Sequence, residues 1–350
     1  MRWPDKLVRL TPYAAAPATD AGAVRLDANE SFLTPPDWLW EKITAAVRSV
    51  ALHRYPDPAA SALCALFAGR MHVPASGVVA GNGSDELISL LLAALVPHGG
   101  RVLVSEPDFS MYRVYAQLYE HDCAAAPKTG GRPDMGALLA AHRARPADLI
   151  IFSNPCNPTG LGAPAAEVLA LAEAVDCPVV VDEAYMDFWD QSVLAHTRRC
   201  DNLIVLRTCS KALGLAGARL GFALSGDPLA AALRAAKSPF NVSALAQAVG
   251  AAVLAEAEYL DACVQAIRRS TADLYRALSA FAARAEGIEA HETETNFVLL
   301  TGPRAPALYE ALRAQNIHIR HLPPNTLRTT AGTASEHKAL LTALEAHQTA

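Results

Sequence analysis

No apolar run in this chain reaches the roughly 18–20 residues that a membrane-crossing helix needs. The longest, Leu87–Pro97, reads as a buried helix. The opening segment carries Arg2, Asp5, Lys6 and Arg9 and lacks the apolar stretch of a secretory leader, so a cytoplasmic protein is expected. Cysteines number seven, an odd count, and none are spaced C-x-x-C. That argues against a disulfide framework or a zinc site and predicts reduced thiols and no metal. The formal charge of −5 gives no sign of the basic face that nucleic-acid binders carry. The nucleoside-triphosphatase pattern G-x-x-x-x-G-K-[ST] is missing, and the turn Gly81-Asn82-Gly83-Ser84 makes a poor G-x-G-x-x-G. Lysine is scarce, with six among the thirty Lys and Arg residues, so any lysine-dependent chemistry has few candidates.

What is present is a large core. Of the 350 residues 52% are apolar and 19% charged, enough for two or three structural units and too apolar for wholesale disorder. Residues 1–45 read as an arm and part of a small domain, with one short helix near Trp38–Val50. Then short β-branched runs alternate with helical segments: Gly77–Ala80, Arg101–Ser105, Asp148–Ser153, Pro178–Asp182, Asn202–Thr208 and Arg219–Leu224. Most are apolar throughout, as strands covered on both faces should be. The alternation predicts a large three-layer α/β domain over residues 46–242 with a mostly parallel sheet. Residues 243–350 read as a smaller α+β domain. It should hold a long helical stretch broken once (Ser243–Ala285), strands at Asn296–Leu300, Ile317–Arg320 and Thr326–Thr330, and a final helix Ala334–His347.

Ligands of open α/β sheets sit beyond the carboxyl ends of the strands. In this chain those positions carry chemistry. Gly81–Glu86 is a glycine turn entering a helix, whose free N–H groups can hold a phosphate. Pro107-Asp108-Phe109 offers an aromatic ring, and the loop Asn154–Gly160 offers the Asn157 amide. Asp182 ends an apolar strand, where a carboxylate is costly without a cation. Lys211 follows the fifth run and Arg219 lies eight residues on. Each signal alone has an ordinary structural explanation: a helix cap, a stiffened turn, a salt bridge, a solvated lysine. Together, a phosphate cradle, an aromatic, an amide, a buried carboxylate and a lysine fit an aromatic phosphate cofactor bound through lysine, pyridoxal 5′-phosphate.

The motifs Asn154-Pro-Cys-Asn-Pro-Thr-Gly160, Val180–Tyr185 and Arg207–Phe222 resemble those of the fold-type I, class I/II pyridoxal-phosphate-dependent aminotransferases. LDANES (Leu26–Ser31), RYPD (Arg54–Asp57), EPDFSMY (Glu106–Tyr112) and Ile317–Thr333 add to the likeness, which is strongest to the histidinol-phosphate branch. The resemblance implies a catalytic set of Lys211, Asp182 and Tyr185. Lys211 would carry the cofactor covalently, Asp182 would pair with the ring nitrogen, and Asn157 with Tyr185 would bond the ring oxygen. Phe109 would stack on the ring, where relatives often have Tyr or Trp. Gly83, Ser84, Asp85, Thr208, Ser210 and Arg219 would hold the phosphate, helped by Tyr55 from the second subunit of a homodimer. Arg328, with Arg320 and Tyr13 nearby and Asn29 and Asn296 alongside, would bind substrate. The implied reaction is transamination between histidinol phosphate and 2-oxoglutarate. An aromatic amino acid as donor is the alternative, because one arginine pair can grip phosphate or carboxylate. Decarboxylation of threonine phosphate is a third reading. The segment Ser31-Phe32-Leu33 departs from the Asn-Pro that many relatives carry there.

Overall fold

The computed structural model describes residues 6, 7, 10 and 22–347. Thirteen strands fall in two sheets among the described residues. Strand β1 (Val24–Leu26) comes first, followed by β2 (Val78–Asn82), β3 (Arg101–Glu106), β4 (Asp122–Thr129), β5 (Arg132–Pro133) and β6 (Leu149–Ser153). Next come β7 (Val179–Asp182), β8 (Leu203–Thr208) and β9 (Leu220–Leu224). The last four are β10 (Glu289–His291), β11 (Phe297–Thr301), β12 (Ile317–Leu322) and β13 (Thr326–Thr330).

The larger sheet has the order β2-β9-β8-β7-β6-β3-β4-β5. Strands β4, β3, β6, β7 and β8 run parallel, while β9 is antiparallel to both of its neighbours. Every residue of β6, β7 and β8 is buried, so the uninterrupted apolar runs mean strands covered on both faces. Two apolar clusters lie on the two sides of this sheet. One holds Ile150, Phe152 and Val181, the other Ile151, Val180 and Ile204, so alternate residues of one strand serve different layers. The result is the expected three-layer architecture.

The smaller sheet, β1-β12-β13-β11-β10, backs onto a separate core containing Leu278, Phe281, Val298 and Leu327. It has two strands more than the sequence suggested. Both β1 and β10 are three residues long, too short to show a period. Strand β4 was also missed. Its sequence, DCAAAPKT, is alanine-rich with an internal proline, and it lies next to the sheet edge, where proline is tolerated.

The expected boundaries after residues 45 and 242 do not coincide with a change of core. Leu39 and Ile43, on the helix Asp37–Arg48, pack into the large core. So do Val253 and Leu254 of the helix Ala244–Leu254. The helix Ala257–Ala282 serves both cores: Leu260, Val264 and Ile267 face the large one, and Leu274, Leu278 and Phe281 face the small one. Periodicity shows that a helix has an apolar stripe but not which core the stripe meets.

Candidate active site

One cleft gathers the residues that follow the parallel strands. It spans about 750 Å³, a volume that includes space open to solvent. Of the positions singled out from sequence, it is lined by Ser84, Asp85, Phe109, Asn157, Asp182 and Tyr185, and by Thr208, Ser210, Lys211, Arg219, Asn29 and Arg328. Ser84 through Arg219 meet there because the strands of the larger sheet deliver their carboxyl ends to one edge, and Asn29 and Arg328 reach the cleft from the smaller sheet's side.

Asp182, the last residue of β7, is 4% exposed. It accepts the Tyr112 hydroxyl at 2.8 Å and the Ala184 N–H at 3.1 Å. Burial pushes its carboxyl up to about 7, against the pull of those two bonds. Tyr112 is the partner that the sequence reading overlooked. It stands three residues after Phe109 at a helix start, and the two rings meet edge to face at 5.6 Å.

Lys211 follows β8 and donates to the Ala28 carbonyl at 2.9 Å. Its amine is brought down to about 8, first by burial and then by the Arg328 charge. An amine that loses its proton near pH 8 can act as a nucleophile or base close to neutral pH.

Gly83, which does not itself line the cleft, takes φ +83° and caps the helix Ser84–Leu95 without a side-chain bond. The first residues of that helix, Ser84 and Asp85, line the cleft with N–H groups free of intrahelical partners. Thr208 donates to Ser210 at 3.1 Å, and Arg219 lies 3.8 Å from Asp85. Arg219 and the helix start give this wall positive potential, suited to a phosphate.

On the remaining side, Arg328 donates to the Asn157 amide oxygen and, at 2.7 Å, to the Asp27 carbonyl. Asn29 donates its amide to the Tyr185 hydroxyl at 2.8 Å. Its own N–H is accepted by Thr330 at 3.0 Å, and the Thr330 hydroxyl donates to its side-chain oxygen at 3.1 Å. Asn296 donates to the Asn29 carbonyl at 3.1 Å, so it supports the cleft from behind and does not line it. Arg320 stands opposite Arg328 in the β12–β13 register but is not part of the lining. Tyr55 is 81% exposed, stacks on Phe240 at 4.5 Å and does not reach the cleft. Tyr13 lies outside the described residues. Ser153, Ala28 and Ala184 also line the cleft; they lie within segments that the sequence marks, but no site role falls to them from sequence. No group of three or more potential metal ligands occurs among the described residues.

The donor set fits a phosphate-bearing aromatic ring with a protonatable nitrogen: cationic and N–H groups for the phosphate, a buried carboxylate without a cation among its hydrogen-bond partners here, and an amine near neutrality.

Residues 20–344 match the family described as aminotransferase class I and II, and the chain belongs to that family. Among its relatives is the histidinol-phosphate aminotransferase of Clostridium kluyveri, 34% identical over 352 residues and covering 96% of both proteins. The enzyme of that name from Chromobacterium violaceum is 37% identical over 93% of this chain and 92% of its own length. A solved structure of histidinol-phosphate aminotransferase from Sinorhizobium meliloti, in complex with pyridoxal-5′-phosphate, superposes with a TM-score of 0.87. It is 26% identical, over 98% of this chain and 96% of that one.

Proposed function

We propose that this chain is a pyridoxal 5′-phosphate-dependent aminotransferase that takes its amino group from histidinol phosphate and passes it to 2-oxoglutarate. One observation carries the reading: the amine of Lys211, near neutrality, shares a cleft with the buried Asp182 and with Arg328. The chain-length likeness to histidinol-phosphate aminotransferases supports the choice of donor.

Pyridoxal phosphate, when bound, supplies an electron sink that acidifies the hydrogen on the donor's amino-bearing carbon. The protein does the rest. Lys211 holds the cofactor and, once released, takes that hydrogen at Nζ. Asp182 keeps the ring nitrogen protonated, which makes the ring a better sink. Asn157 and Tyr185 bond the ring oxygen, and Phe109 covers one face. Ser84, Asp85, Thr208, Ser210 and Arg219 hold the phosphate, with Gly83 shaping the turn. Arg328 grips the donor's anionic group in its planar fork, assisted by Asn29 and Tyr13, while Asn296 steadies Asn29 from behind. We place the enzyme in the cytoplasm as a homodimer, with the exposed Tyr55 of each chain completing its partner's phosphate site.

Single half-reactions test the donor. Histidinol phosphate, phenylalanine and threonine phosphate are each added, without an oxo acid, to the cofactor-loaded enzyme, and the cofactor's absorbance is followed. Rapid loss of the band with histidinol phosphate alone is expected. Faster loss with phenylalanine would assign an aromatic donor. Carbon dioxide release from threonine phosphate would overturn transamination itself. Replacing Lys211 with Ala should reduce steady-state turnover to background.

A further inference from the structure

Beside the cleft lies an ion pair that the proposed reaction does not use. Asp108 and Lys128 face each other at 3.3 Å with side chains 2% and 3% exposed. Lys128, on β4, also donates to the Ser105 hydroxyl at 3.1 Å. A pair buried this completely is a poor device for stability, because desolvating two charges offsets most of their attraction. Its bonds point to another role. Asp108 accepts the Phe109 N–H at 2.8 Å and the Ser153 N–H at 3.2 Å, and also the Ser153 hydroxyl. Ser153 ends β6, stands opposite Asp182 in the β6–β7 register and lines the cleft. Its hydroxyl oxygen accepts the backbone N–H of Asn157 at 3.2 Å, which fixes the backbone from which the side-chain amide projects.

The direction of these bonds is forced. An ionised carboxylate can only accept, so the single Ser153 hydroxyl proton must point at Asp108. That leaves the oxygen's lone pairs for the Asn157 N–H. Burial raises the Asp108 carboxyl, and the Lys128 ammonium leads the influences that pull it back down. Lys128 therefore favours the charge state on which the bond directions depend. One carboxylate thus ties together the loops that carry the aromatic ring and the amide.

We infer that Asp108, paired with Lys128, is a positioning residue that fixes the Phe109 ring and the Asn157 amide relative to each other, acting on the first through its backbone and on the second through Ser153. This rests on the proposed reading only in taking Phe109 and Asn157 as contacts to the cofactor ring.

The test uses the full-length protein and Asp108→Asn, Ser153→Ala and the double variant. Cofactor affinity is measured by titrating the apoprotein with pyridoxal 5′-phosphate, and kcat, KM and melting temperature are recorded separately. Asp108→Asn should raise the cofactor Kd about 10- to 100-fold, as expected for losing a charged acceptor, and should lower kcat more than it raises KM. Ser153→Ala should give a smaller shift of the same kind. Because both act on Asn157 by one route, the double variant should be no worse than Asp108→Asn. Wild-type Kd and kcat with only a lowered melting temperature would overturn the inference, and so would fully additive effects. If Asp108→Asn does not fold, Ser153→Ala alone decides, since unchanged Kd and kcat there would break the route. A wild-type protein that binds no pyridoxal phosphate would instead remove the cofactor reading, which separates the two failures.

Discussion

At the scale of single residues, burial does most of the chemical tuning. It brings the Lys211 amine down to about 8 and the Asp182 carboxyl up to about 7. The second shift has a measurable cost in the cofactor-free protein. A carboxyl raised above its unfolded value binds its proton more tightly when folded, so stability is highest at low pH and falls as pH rises through about 7. Asp182→Asn removes that loss. Thermal melts of the apoprotein should show this variant more stable than wild type by about 1–2 kcal/mol at pH 8, converging as the pH falls to about 4, while transamination is lost. A variant that is less stable at both pH values would show that the carboxylate is already compensated. Asp182 and Lys211 could be picked out in the sequence because each follows an apolar strand. Tyr112 could not, because whether it bonds Asp182 depends on the packing of a helix against a sheet edge.

At the scale of elements, strand ends and turns set the distances. Strand β9 runs beside β2, and at Gly221 a Cβ would overlap the Ser84 nitrogen and the Gly83 carbonyl carbon. Both overlapped atoms are backbone and cannot rotate away. Gly221→Ala should therefore displace the Gly83–Ser84 turn, destabilise the fold by about 1–3 kcal/mol and weaken cofactor binding, as seen by denaturant titration and by pyridoxal phosphate titration. Strand β13 offers a second case. It carries Arg328 and Thr330 on one face, and Thr330 holds Asn29 in its left-handed conformation at φ +54°. Thr330→Val keeps the shape but leaves the buried Asn29 N–H without its acceptor. It should cost about 1–3 kcal/mol in denaturant unfolding, with Thr330→Ser recovering most of the loss. A Thr330→Val protein as stable as wild type would mean that another acceptor replaces the hydroxyl. The sequence pattern located β13 and its arginine. It could not show that a threonine on it meets a residue 301 positions earlier.

At the scale of the molecule, the helix Ala257–Ala282 joins the core on one side of the larger sheet to the core behind the smaller sheet, and the cleft draws on elements of both sheets. Tyr55 stands outside the cleft of its own chain, so its proposed role across a dimer can be tested by complementation. Tyr55→Ala and Lys211→Ala proteins are each expected to be weak or inactive. Refolded together, half of the dimers are mixed, and each mixed dimer regains one whole site, or about a quarter of wild-type activity. No recovery on mixing would show that Tyr55 acts within its own chain or not at all.

The amino-acid sequence by itself determined the three-layer class, the apolar strands and the residues that leave their carboxyl ends. These follow from local pattern, since a strand buried on both faces must read as an apolar run and its ligand-facing residues must come directly after it. Only the tertiary structure decided where one core gives way to the other, that alanine-rich β4 is a strand, and which buried groups bond: Tyr112 with Asp182, Thr330 with Asn29, and Lys128 with Asp108. The physical reason is that partnership in a hydrogen bond or ion pair depends on strand register and burial, and both are set by elements remote in the chain.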